Sequence, residues 1–385
     1  MPGASGFSLV DGGPLCALFR RLGWTRTDGR IDYLRAGIVL VAVAWGPLLV
    51  ITVSARLLTG HWFATSWSVH TRLLIAIPLL LRADASLHAR TRLVGDYLGS
   101  ERWNADERER FDRIFAAGVK HRDAVVPELA LLALAVVASE IVVWNLGGGP
   151  MMARRVTLEH HQIAARWWYA LVALPMFQFL VYRALWRWGI WVQMLWRLSR
   201  LPLRPLATHP DLAGGLEFLS LPSLGFAYVV AALSAAQAGV WADRVLHVGV
   251  KVPDLKTEAV VFVVAAVILA LGPLVVFSGQ LLRCQIQGRH DYGGLATDYT
   301  RLFQTRWIEQ RERGDVLGTA DIQSLADLAG GFEVVSKTRV VPFGPRTVIA
   351  IAAAALAPIL PIALLGVPLT ELLAKLAGTL IGKPG

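Results

Sequence analysis

Seven stretches of this chain are long and apolar enough to cross a lipid bilayer, at 36–55, 66–82, 124–146, 167–186, 218–241, 258–278 and 347–366. A helix rises about 1.5 Å per residue and the hydrocarbon layer is about 30 Å thick, so one crossing takes about 20 mostly apolar residues. The sequence therefore predicts an all-α fold: a polytopic transmembrane helix bundle of about seven spans, forming one integral membrane domain over 1–385. The second stretch is the weakest of the seven, because its apolar core from Leu73 to Leu81 is short and Arg72 stands at its start.

Composition agrees. Hydrophobic residues make up 55% and charged residues 17%, with a mean hydropathy of +0.51, which excludes a water-soluble surface. Trp45, Trp62, Trp144, Trp167, Trp168 and Trp241 stand at the ends of apolar runs, where an amphipathic ring suits the headgroup layer. The net charge of +10 comes from basic residues placed between apolar segments and never interleaved with aromatics. Anionic lipid on the cytoplasmic face, and not nucleic acid, is the partner this pattern predicts. Nothing in it fixes an oligomeric state, and a homo-oligomer is left open.

Orientation follows from where the basic residues fall, since cytoplasmic loops retain Lys and Arg. Of 38 such residues, 28 lie in 1–35, 82–122, 183–206 and 279–346. The expected topology is a bacterial-type inner (plasma) membrane protein with its N-terminus cytoplasmic. Seven spans then put the C-terminus outside, and the Leu-rich tail after Pro368 reads as an amphipathic helix on the outer interface. The first 35 residues lack the apolar core of a signal peptide, and Cys16 is not in a lipoprotein context. Cys16 and Cys284 have neither CxxC spacing nor a His partner, so no disulfide, zinc site or other cofactor is expected.

Two cytoplasmic insertions are too long to be connectors. Residues 83–122 read as two charged helices broken near Gly99-Ser100 and resting on the membrane surface. Residues 279–346 read as a helical cytoplasmic cap. A polar continuation of the sixth span pauses from Gly314 to Gly318, then runs through ADIQSLADLAGGFEVV, where Ile322, Leu325, Leu328 and Phe332 recur every three or four residues.

Ionisable residues inside spans are costly and become the first candidates for function. Arg72 and Glu140 fall at matching depths on antiparallel spans, which predicts an interhelical pair; Glu128 and Arg183 both fall near the inner interface. A structural ion pair or snorkelling side chains would account for the same residues. In THPDLAGGLEFL, Asp211 reads as a helix N-cap entered through Pro210, a role in which Asn would serve equally well. The same helix start, with its free N–H groups, is also a candidate anion site beside His209. The stretch Gly288 to Gly294, with His290 and Asp291, reads as a bend interrupting the helix that follows the sixth span. It lacks the Lys-Ser/Thr ending of a phosphate loop, and no G-x-S-x-G elbow occurs anywhere. His209, Asp211, His290, Asp291 and Asp298 have no metal-ligand spacing, so no metal is assigned; His160-His161 with Glu159 reads as a solvated outer loop. The loop 205–217, the bend at 288–294 and the helix starting near Asp321 are expected to converge at the cytoplasmic mouth.

THPDLAGGLEFL, QGRHDYGGLATDY, TADIQSLADL and PILPIALLGVPLTELL together resemble a family of uncharacterised bacterial multi-pass inner-membrane proteins, over roughly 30–375. The resemblance implies the architecture and a cytoplasmic cluster of motifs, and no activity. Transport or channel-like function ranks first, on the number of spans, the buried Arg and Glu, Gln178 and Gln237, and the span prolines Pro47, Pro78, Pro175, Pro273, Pro358 and Pro361. A scaffold or sensor comes second. An enzyme acting on a lipid-linked substrate, using His209, Asp211, His290 and Asp291, comes third.

Overall fold

The computed structural model describes residues 7–27, 30–59, 66–100, 103–146, 160–309 and 320–365. The pause at 314–318, the tail after Pro368 and Glu159 lie outside the described residues. Within them the regular secondary structure is helical, apart from one isolated antiparallel bridge between Thr25 and Ile31. A short α1 (Pro14–Arg21) precedes α2 (Tyr33–Thr59). The next helix, α3, starts as Trp67–His70, passes through a π-helical stretch Thr71–Ala76 and continues as Ile77–Ser100. Then come α4 (Ala105–Asp123) and α5 (Val125–Leu146). Helix α6 starts as His160–Trp168, turns π-helical over Tyr169–Ala173 and continues as Leu174–Leu198. The remainder is α7 (Leu221–Asp243), α8 (Lys256–Leu271), α9 (Ser278–Phe303), α10 (Ala320–Lys337), α11 (Pro345–Leu356) and α12 (Leu360–Leu365).

Five of these helical runs are long and apolar enough to cross a membrane: Tyr33–Ser54, Val125–Val142, Ala164–Leu198, Glu217–Val248 and Val252–Glu309. The two other expected spans take different forms. The 66–82 stretch is the first part of α3, whose length is ample but whose charged residues dilute its apolar character. The 347–366 stretch breaks into α11 and α12 around a turn at 357–359, where Pro358 and Pro361 cannot supply helical N–H donors.

The bundle is built around α3, α6 and α7. Helix α7 is apolar on every side and packs against α3 and α11, while α6 packs against α5. Where they meet, the rings of Trp188 and Phe226 stack with centroids 4.3 Å apart. Proline breaks are repaired across helices. Pro273 leaves the Leu269 carbonyl without its helical donor, and the Trp188 indole Nε1 donates to that oxygen at 3.1 Å. The neighbouring Ala270 carbonyl accepts from Ser223 Oγ at 2.9 Å.

Helix α3 ends at Ser100, and α4 opens on a capping box. Asn104 Oδ1 accepts from the Glu107 N–H at 2.8 Å, and Glu107 Oε2 accepts from the Asn104 N–H at 3.0 Å. Helix α4 buries Phe111, Ile114 and Phe115 and packs against α6, so its apolar face is taken by protein. The bend expected at 288–294 is absent: α9 runs through it unbroken. Gly288 is there for a crossing, since a Cβ at that position would sit 2.4 Å from Ala207 Cβ and 3.3 Å from Val335 Cγ1.

Helices α9 and α10 form an antiparallel hairpin closed at its far end by Asp321. Trp307 Nε1 donates to Asp321 Oδ2 at 3.1 Å, and the Tyr299 hydroxyl to the Asp321 carbonyl at 2.9 Å. It is therefore the C-terminal end of α10, and not its start, that reaches the 205–217 loop. There Thr338 Oγ1 donates to the Ala207 carbonyl at 3.0 Å.

Close helix approach gives a stability prediction. A Cβ on Gly239 would lie 2.1 Å from Thr71 Oγ1 and 2.9 Å from the Trp67 carbonyl, whereas one on Gly46 meets nothing within 4 Å. Gly239→Ala is expected to lower stability in detergent by about 1–3 kcal/mol through overpacking. Gly46→Ala is expected to be neutral or stabilising, because Ala is the better helix former. Thermal unfolding of the two purified variants checks both.

Candidate functional site

Four ionisable side chains from three helices meet inside the bundle at the end that carries α1. Arg183 and Arg187 are one helical turn apart on α6 and so share a face. Asp84 comes from α3 and Glu128 from the first turn of α5. Their relative exposures are 2% for Arg183, 3% for Arg187 and Asp84, and 8% for Glu128. Charges this deep persist only when paired and hydrogen-bonded. Arg183 Nη1 donates to Asp84 Oδ2 at 2.5 Å and its Nε to Glu128 Oε1 at 2.7 Å. Arg187 Nη1 approaches Asp84 Oδ1 at 3.4 Å. Two carboxylates and two guanidiniums make the cluster neutral overall.

The N-terminal segment closes this cluster from above. Arg187 Nη2 donates to the Gly12 carbonyl at 3.1 Å, Arg183 Nη2 to Cys16 Sγ at 3.4 Å, and the Leu15 N–H to Glu128 Oε2 at 3.4 Å. Ser8 Oγ meets His88 Nδ1 at 2.7 Å, and Arg122 Nη1 donates to the Ser8 carbonyl at 2.6 Å. Gly12-Gly13 is needed for so tight a seat. A Cβ on Gly12 would lie 2.1 Å from Asp123 Oδ1, and Gly13 has φ +83° with Glu128 Oε2 3.0 Å from its Cβ position.

Glu128 and Arg183 were expected at one level, and the structure puts them in contact. Arg187 was counted as a loop charge, and Asp84 fell within the 83–122 insertion read as surface helices. The i, i+4 spacing of Arg183 and Arg187 was the available signal; Asp84 lies beyond the apolar core of its helix and gave none. The expected Arg72–Glu140 pair does not form. Arg72 Nη1 donates to the Tyr169 hydroxyl at 2.9 Å, while Glu140 Oε1 is buried without a hydrogen-bond partner. Matched depth was not enough, since α5 turns its packing face to α6 and α3 packs against α2 and α7.

The His209–Asp211 loop forms a second polar site. Asp211 is not the N-cap of a helix, because α7 begins only at Leu221 after a 3-10 turn at Glu217–Ser220. Its carboxylate instead gathers the loop: Oδ1 accepts from the N–H groups of Ala213 at 2.8 Å and Gly215 at 3.0 Å, and Oδ2 from Glu217 at 3.1 Å. Leu212, Gly214 and Gly215 all have positive φ, which turns these N–H groups inward. The expected anion site is thus filled by the chain's own carboxylate. His209 Nδ1 lies 2.8 Å from Asp211 Oδ1, and the Arg339 N–H donates to the Leu212 carbonyl at 2.7 Å. Burial acts to raise the Asp211 pKa, but the N–H groups of Gly215, Ala213 and Glu217 and the His209 ring hold it below the ordinary carboxylate value. Beside the loop is a cavity of about 620 Å³ reached by Tyr97, Trp103, Arg204, His209 and Glu217.

His290 and Asp291 are exposed neighbours on α9, 3.2 Å apart. Among the described residues no hydrogen bond or ion pair joins them to His209 or Asp211, and no group of three or more His, Cys, Asp or Glu is arranged to hold a metal ion. Compared with known protein families, curated proteins and solved structures, the chain matches none.

Arg183→Gln leaves Asp84 and Glu128 together without their shared cation, and is expected to cost about 3–5 kcal/mol. Asp84→Asn combined with Arg187→Gln removes one charge of each sign and should cost less than the sum of the two single changes, as a double-mutant cycle in detergent would measure. For Asp211 the lowered pKa means that its contribution is complete above the ordinary Asp range and is lost as pH falls below about 4. Since both carboxylate oxygens accept from N–H groups, Asp211→Asn turns an amide donor toward donors. It should destabilise at neutral pH and abolish that acid-side loss, which thermal melts across pH 3 to 7 (roughly the span over which an Asp titrates) would record.

Proposed function

We propose that this is a seven-span protein of a bacterial-type inner membrane, N-terminus cytoplasmic, which moves a proton or small ion and rests closed at its cytoplasmic mouth. The observation that carries the reading is the buried Asp84–Arg183–Glu128–Arg187 cluster sealed by the N-terminal segment. Ionisable groups are retained inside spans where they serve an ion or proton pathway. A second polar contact, Arg72 with Tyr169, joins the π-helical stretches of α3 and α6. It lies twelve residues from Asp84 along α3, about 18 Å at about 1.5 Å per residue. Between the two levels Leu73, Ile77, Leu81, Leu174, Phe177 and Leu180 are buried against the bundle. Two polar stations separated by a packed apolar stretch are the layout of a closed path. Local π-helical turns in both helices supply the places where such a path can open.

The five long apolar runs support the membrane location, and the loop charges support the orientation. Counting α3 and α11 with its continuation as crossings gives seven, with α9 and α10 as the cytoplasmic cap. The neutrality of the cluster favours the scaffold reading, in which Arg183 only fixes helix register, and flux measurements separate the two. Proteoliposomes under an imposed pH or alkali-ion gradient, read with a trapped dye, are expected to dissipate it faster than protein-free vesicles. The Asp84→Asn, Arg187→Gln variant should abolish this. Wild-type vesicles as tight as protein-free ones under every gradient would leave the scaffold. For topology, periplasm-active reporters fused after Gly99 or Glu309 should be silent and one after Gly249 active.

A further inference from the structure

The structure points to a binding groove for one anionic glycerophospholipid of the cytoplasmic leaflet, between α2 and the first half of α3; we propose it as a specific site, independent of any transport. A cavity of about 920 Å³ opens there onto the outer surface of the bundle. Its wall is apolar along its length, formed by Leu34, Ile38, Val41 and Trp45 from α2 facing Leu74 and Pro78 from α3. No other part of the described chain covers it: Leu34 is 70% exposed and Ile38 63%.

Length and charge select the occupant. Leu34 and Trp45 are eleven residues apart, about 16 Å at about 1.5 Å per residue. That is one leaflet of a hydrocarbon layer about 30 Å thick, the depth an acyl chain fills. Basic groups occur at one end only, where Arg26, Arg30 and Arg82 line the mouth. The backbone that carries the first two is fixed, and the third rests on a ring. The Arg26 N–H donates to the Arg30 carbonyl at 2.8 Å beside the Thr25–Ile31 bridge, and the Arg82 guanidinium lies 5.6 Å from the centre of the Tyr228 ring. Asp32 lies 3.8 Å from Arg26. A long apolar trough ending in guanidiniums at headgroup level complements a phosphate carried on acyl chains, since guanidinium binds phosphate oxygens through several N–H groups at once.

The test is native mass spectrometry of the full chain in detergent, titrated with phosphatidylglycerol or phosphatidylcholine of the same acyl composition. The wild type is expected to bind phosphatidylglycerol at least about tenfold more tightly than phosphatidylcholine. Replacing Arg26, Arg30 and Arg82 together by Gln should abolish that preference while leaving weak binding of both. Gly46→Phe should fill the trough and reduce binding of both lipids without lowering the melting temperature, because nothing lies within 4 Å of a Cβ at Gly46. Inorganic phosphate should not displace the lipid. Equal affinity of the wild type for the two lipids would overturn the proposal. So would lipid binding unchanged in both variants, displacement by phosphate alone, or a dimer that forms in the wild type and is lost in Gly46→Phe.

Discussion

An arginine with 2% of its surface exposed needs nearly all of its charge answered by protein, and Arg183 has that answer from two helices at once. Asp84 and Glu128 reach it from α3 and α5, so one guanidinium sets the relative height and rotation of three helices. Removing Arg183 leaves two buried carboxylates without the cation they share, which is the costly state. Apolar contacts between helices are forgiving by comparison, since a small slide exchanges one methyl contact for another.

The N-terminal segment depends on the same cluster. Residues 8–16 bond among themselves through Ser8 Oγ and the Val10 carbonyl, and Gly12, Leu15 and Cys16 each also spend a polar group on Arg187, Glu128 or Arg183. Burial of Leu9, Val10 and Cys16 in the core and the bond from the Leu9 N–H to Thr91 Oγ1 at 3.2 Å seat the same segment on the bundle. The proposed lipid groove beside α2 opens at Arg26 and Arg30, further along the chain than this segment.

Much of the helical framework was legible in advance because apolar length is a local property. The runs at 36–55, 124–146, 167–186, 218–241 and 258–278 all fall on helices long and apolar enough to cross. Legibility failed where local signals stood for tertiary needs. The glycines of 288–294 read as a bend, yet Gly288 admits Ala207 inside an unbroken helix. Asp211 read as a helix cap because Pro210 precedes it and an apolar helix follows. Positive φ at Leu212, Gly214 and Gly215, which no residue type but glycine announces, turned it into the centre of a loop. Arg72 and Glu140 matched in depth, but sequence carries no information on which neighbour each helix faces.

By itself the sequence determined where most of the long apolar helices lie, because these follow from hydropathy and the fixed rise per residue. Tertiary structure alone decided the partners. Asp84, three residues past the weak apolar core of α3, became buried only because α3 continues as a helix beneath the N-terminal segment and beside α6. Which acid meets which arginine depends on the rotation of each helix about its axis. That rotation is set by the sum of packing over every neighbour, a quantity no single segment contains.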